Sequence, residues 1–74
     1  MRITESAVAG YQVADTDTAS DTKYYGYTWA GGKWYIMQEV TSAGTFRYVS
    51  GTSGYAAAWT ARAGKSYDYF HLAV

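Results

Sequence analysis

His71 is the one side chain in this 74-residue sequence whose reference pKa lies near neutrality, so base catalysis would have to start there. A nucleophilic triad would need a serine and an acid held around that ring. Ser66 and Asp68 lie close in sequence, but on an extended run Asp68 points to the face opposite His71. His71 therefore reads as a strand-face or interface histidine, and no catalytic residue is expected. Asp15, Asp17 and Asp21 form the second cluster. A calcium loop needs more oxygen ligands at fixed spacing, with a glycine and a terminal bidentate glutamate, and these are missing. With no cysteine and one histidine, no zinc site and no metal or other cofactor is expected. The glycines at 26, 31, 32, 44, 51, 54 and 64 are scattered over turns and strands, and none leads a phosphate-binding loop into a helix.

What remains is aromatic chemistry. Nine Tyr, three Trp and two Phe make up 19% of the chain, whereas Leu and Ile are limited to Leu72, Ile3 and Ile36. Each ring can bury about 150–250 Å², and tyrosine and tryptophan are enriched at protein interfaces. Tyr24, Tyr35, Tyr55 and Tyr69 are the rings expected to remain exposed. With Arg62 and His71 they are the candidate interface or ligand-binding residues. Six acidic and six basic residues cancel, which leaves no basic face for nucleic acid and favours association. No apolar run approaches the ~20 residues that span a bilayer, so no membrane partner is expected. Met1-Arg2-Ile3-Thr4-Glu5 lacks the apolar core of a signal peptide, which implies a cytosolic product.

The elements that position these groups follow from spacing. A chain this short buries only roughly 60% of its unfolded surface, so it is one compact domain, read as residues 23–74, preceded by an arm over residues 1–22. The arm carries Ala14-Asp-Thr-Asp-Thr-Ala-Ser-Asp-Thr22, which is polar and acidic and reads as loop or extended chain. Tyr24–Trp29 and Lys33–Val40 flank Gly31-Gly32, a hairpin signal. A two-residue loop there pairs Trp29 with Trp34, Tyr27 with Ile36 and Tyr25 with Gln38. Gly44 suits a three-residue loop that pairs Thr41 with Thr45, Val40 with Phe46, Glu39 with Arg47 and Gln38 with Tyr48. Both readings put the aromatics on one face, and make Glu39 and Arg47 a cross-strand ion pair. Tyr55–Arg62 is alanine-rich, with Tyr55, Ala58, Trp59 and Arg62 on one helical stripe, Ser53 as N-cap and Gly64 as the C′ residue. Ser66–Val74 is β-prone. The expected class is α+β: a small antiparallel sheet built as a three-stranded meander, one short helix and a final strand, with an extended N-terminal arm.

Residues 23–74 resemble a family of short proteins encoded in tailed-phage and prophage genomes. The resemblance is carried by Lys23-Tyr-Tyr-Gly-Tyr27, Gly32-Lys-Trp-Tyr-Ile-Met37, Gly44-Thr-Phe-Arg-Tyr48, Gly51 to Tyr55, Trp59, Arg62 and Tyr67-Asp-Tyr-Phe70. It implies a non-catalytic structural protein of a phage particle: a capsid decoration, tail or tail-fibre component. Such a protein would pack on other virion proteins and on copies of itself as a homo-oligomer. It would reside in the virion, and in the host cytoplasm during assembly. The exposed rings support an alternative, a carbohydrate or host-receptor binding module at a fibre tip.

Overall fold

A computed structural model describes residues 10–73. Four strands form one antiparallel sheet in the order β1-β2-β3-β4: β1 Tyr11–Asp17, β2 Thr22–Trp29, β3 Trp34–Val40 and β4 Thr45–Gly51. Two short helices follow, α1 Tyr55–Thr60 and α2 Phe70–Ala73. The class is thus roughly α+β, with most of the ordered chain in the sheet. No helix among the described residues is long and apolar enough to cross a membrane.

Two corrections concern the ends of the chain. Residues 11–17 of the expected arm are the edge strand β1, paired with β2 from Tyr11↔Trp29 to Asp17↔Tyr24, so the meander has four strands rather than three. Gln12, Thr16 and the two aspartates look outward or toward polar partners, and strand pairing needs no apolar residue at such positions. Residues 1–9 of that arm and Val74 lie outside the described residues. The expected final strand shrinks to one bridge. Asp68 exchanges both backbone hydrogen bonds with Tyr48 (2.8 and 2.6 Å), and the chain then turns into α2.

Both hairpins sit where the glycines put them, but each loop is one residue longer than expected. At the first, the Gly32 amide donates to the Trp29 carbonyl and the Trp29 amide donates to Lys33, both at 2.9 Å. Gly32 takes φ +97°, a left-handed position that closes a three-residue loop. Thr28, not Trp29, therefore opposes Trp34, and Gly26, not Tyr27, opposes Ile36. At the second, Gly44 is left-handed as expected (φ +66°), but it ends a four-residue loop whose first three residues make a 3₁₀ turn. Val40 opposes Thr45, and Ile36 opposes Val49. A shift of one residue moves every side chain to the other face. The expected Glu39–Arg47 pair is absent for this reason: Glu39 opposes Phe46, and Arg47 opposes Gln38.

The result is a sheet with rings on both faces. On one, the buried Tyr24, Trp34 and Ile36 pack with Ala58 of α1, and Val49, Tyr55, Trp59 and Tyr67 close around them. The expected helical stripe is borne out by Ala58, Tyr55 and Trp59. The cap is not: Gly54, at φ +72°, precedes the helix, while the Ser53 carbonyl accepts the Trp34 indole N–H at 2.6 Å. On the other face Tyr35 is the hub. Its ring meets Tyr27 stacked at 4.5 Å, Tyr11 edge-on at 5.0 Å, Tyr48 at 6.1 Å and Phe70 of α2 at 6.3 Å.

Candidate functional site

The Asp-Thr-Asp run of β1 is a strand motif, because residues two apart share a face. A bulge at Ala14, between the pairs Val13↔Tyr27 and Asp15↔Gly26, rotates the strand and brings both carboxylates onto the α1 side. Asp15 there accepts a hydrogen bond from the Tyr55 hydroxyl at 2.8 Å. Asp17 accepts from Nε and Nη2 of Arg62 at 3.3 and 2.9 Å. The guanidinium also donates to the Trp59 carbonyl at 2.8 Å and lies 4.4 Å from the Trp59 ring. The Tyr67 hydroxyl donates to the Arg62 carbonyl at 2.8 Å. Gly26 makes the arrangement possible, since a side chain there would occupy the place of the Tyr55 ring and its hydroxyl.

This cluster works as a latch. It fastens the edge strand to the helix and engages the Tyr55 hydroxyl proton and three of the Arg62 N–H donors. The Arg62 guanidinium holds the Asp17 carboxyl below the usual carboxylate range. Burial, and then the bond to Asp15, pushes the Tyr55 phenol up; burial also raises Tyr67, Tyr48 and Tyr25. The signs set a pH window. A carboxyl depressed in the folded state adds stability above its ordinary value of 3.8, lost as pH falls below it. A raised phenol adds stability below its ordinary 10.0, lost as pH rises beyond it. Melting temperatures should therefore be level between these limits and fall on both sides. Asp17→Asn should flatten the acid limb in thermal melts across pH; an acid limb identical to wild type would refute the latch.

The flank formed by β4 and α2 is of a different kind. Tyr69 is 53% and Leu72 63% exposed, and Phe46 of β4 and Phe70 of α2 are exposed as well. Arg47 lies 4.3 Å from the Tyr69 ring, and Tyr69 stacks on His71 at 6.1 Å and 21°. Phe70 is held edge-on against Tyr48 at 4.9 Å. The Arg47 guanidinium donates to the Phe46 carbonyl at 2.9 Å, and the Asp68 bridge occupies Tyr48, so side chains dominate what this edge presents.

Of the residues singled out from sequence, Tyr69 and His71 come together on this flank. Tyr55 and Arg62 come together in the latch. Tyr24 and Tyr35 do not belong to a surface: they are 8% and 1% exposed, a correction that follows from the register shift. No hydrogen bond joins His71 to Ser66 or Asp68; the Asp68 carboxylate accepts the Tyr69 amide instead. Among the described residues no group of three or more His, Cys, Asp or Glu side chains converges to hold a metal. Sequence reasoning missed Phe46, Leu72 and Trp29 as exposed. Phe46 was assigned inward by the register, and Leu72 belongs to a helical turn too short to leave a periodic signal. Comparison with protein-family models, with curated proteins and with solved structures finds no match in any of the three.

Proposed function

We propose that this chain is a non-catalytic assembly protein that docks on neighbouring protein through the β4–α2 flank, in the particle of a tailed phage. The observation that carries the docking role is the grouping of Phe46, Tyr69, Phe70 and Leu72, all at least 41% exposed, along one flank of a small neutral domain. Large apolar side chains left exposed in such number on so small a domain are material for an interaction site. Arg47 and the tyrosine are of the types enriched at the centre of such sites. The phage setting rests on the sequence resemblance of residues 23–74, and within it the protein would serve as a decoration, tail or fibre component.

The test uses purified particles of a phage that encodes the chain. The wild-type protein should be found in them by mass spectrometry. The double variant Phe46→Glu/Leu72→Glu should fold normally and be depleted by about tenfold or more, the change that losing one ~1.4 kcal/mol contact produces. A chain missing from wild-type particles removes the virion reading. Full incorporation of the variant removes the flank.

A further inference from the structure

Arg47 and Arg62 are built alike. Each guanidinium lies on an aromatic ring: Arg62 is 4.4 Å from the Trp59 ring and Arg47 is 4.3 Å from the Tyr69 ring. Each donates from Nη1 to a backbone carbonyl, Arg62 to Trp59 at 2.8 Å and Arg47 to Phe46 at 2.9 Å. Both are partly buried. They differ in what the remaining donors meet. Nε and Nη2 of Arg62 both donate to the Asp17 carboxylate. The same two nitrogens of Arg47 have no hydrogen bond and no ion pair among the described residues. The acids close to Arg47 along the chain and across the sheet are taken: Glu39 accepts the Tyr25 hydroxyl at 3.2 Å, and Asp68 accepts the Tyr69 amide at 2.8 Å.

We infer that the Nε–Nη2 edge of Arg47 is a socket for an aspartate or glutamate side chain of another protein. The inference rests on the reading that the β4–α2 flank docks, and names the chemistry of what it meets. Arginine presents its donors as a planar fork that takes a carboxylate through two parallel bonds. The Tyr69 ring and the Phe46 carbonyl hold that fork before a partner arrives, so less side-chain freedom is left to lose. Arg62, set in the same way, already holds a carboxylate within this chain. In open solvent such a pair contributes little. The exposed Tyr69 ring beside it gives a partner the surface with which to cover the pair and exclude water. One guanidinium balances one carboxylate, whereas a phosphate monoester brings about −1.5 to −2 charges at pH 7. The lysines are turned elsewhere: Lys23 donates to the Thr41 hydroxyl at 2.7 Å, and Lys33 and Lys65 stand over Trp29 and Trp34. A second copy of this chain is a poor source of the carboxylate. Every described aspartate and glutamate already accepts a hydrogen bond within its own chain.

The experiment has two arms. In the first, the isotope-labelled full chain is titrated with the peptide acetyl-Gly-Leu-Asp-Leu-Gly-amide and with its Asn counterpart. The readout is the Nε–H resonances of Arg47 and Arg62. The Asp peptide should move the Arg47 signal saturably, with a dissociation constant on the order of millimolar, and the Asn peptide should bind about tenfold or more weakly. Arg62, already filled, should not move. Arg47→Lys keeps the charge but not the fork, and should weaken the Asp peptide by about threefold or more. Absence of a saturable shift would overturn the socket. So would equal binding of the Asn peptide, an equal shift at Arg62, unchanged affinity in Arg47→Lys, or tighter binding of inorganic phosphate at the same ionic strength. In the second arm, Arg47→Gln, with a wild-type amide spectrum, should be depleted from purified particles by about threefold or more. Full incorporation of Arg47→Gln beside depletion of Phe46→Glu/Leu72→Glu removes the socket and leaves the flank. Peptide binding beside full incorporation of that double variant removes the flank and leaves the socket.

Discussion

Gly26→Ala should lower stability by about 2 kcal/mol, and Gly26→Val should leave the domain largely unfolded. Glycine in a strand interior is ordinarily a weakness, and alanine would be an improvement of roughly 0.5–1 kcal/mol. Here the sign reverses. A Cβ at position 26 would sit on the Tyr55 hydroxyl, and within 3.0 Å of both Tyr55 Cζ and the Trp59 ring. Those rings cannot yield freely: the Tyr55 hydroxyl is tied to Asp15, and Trp59 lies under Arg62. The nearest obstacle is a single oxygen, so Tyr55→Phe should relieve part of the clash. In that background the alanine should cost about 1 kcal/mol less, measured as the coupling in a double-mutant cycle of urea melts. Strict additivity would show that Gly26 does not act by making room.

Tyr35→Ala should be the other severe substitution, at about 3–5 kcal/mol. For 74 residues the whole stability is about 4–11 kcal/mol, so this change alone brings the protein to the edge of unfolding. Tyr35 is 1% exposed and touches four other rings, and each well-placed ring pair adds roughly 0.5–1.5 kcal/mol beyond the area it buries. Tyr35→Leu, which restores volume but not ring geometry, should recover about half of the loss. Midpoints of urea unfolding at an unchanged slope would measure both. A Tyr35→Ala variant within 1 kcal/mol of wild type, roughly the level of an ordinary surface change, would rule out the hub.

Much of this fold was legible in the residues, and the errors of register share one cause. The hairpin positions, the left-handed Gly44 and the stripe Tyr55, Ala58, Trp59 could all be read from local chemistry. Loop length could not. Gly31 and Gly32 are both free to take a left-handed φ, and only the folded loop shows that Gly32 does. That one choice decides whether Tyr25 and Tyr27 or Tyr24 and Gly26 face the helix, and so whether one face or two carry the rings. The same ambiguity hid Tyr24 and Tyr35 in the interior and left Phe46 outside. Asp15 and Asp17 were read for calcium or solvent because their partners, Tyr55 and Arg62, are 40 and 45 residues away. Interactions at that separation leave no local trace. The polar tract was read as unfit for a strand, yet an edge strand needs only backbone pairing and a place for its side chains to go.

That separation also sets the order in which the chain can acquire its shape. In a meander each strand pairs with its neighbour in sequence, so the ladders β2–β3 and β3–β4 close over loops of three and four residues. The entropy of such closures is small, and low contact order favours rapid assembly. The bonds from Asp15 and Asp17 instead close across more than half the molecule, and can form only once α1 has settled on the sheet. The tie between β1 and α1 is thus the contact that closes last, after the local ladders, β1–β2 among them. Loss of that tie alone would part β1 from α1 while its ladder to β2, and both ladders of β3, remain.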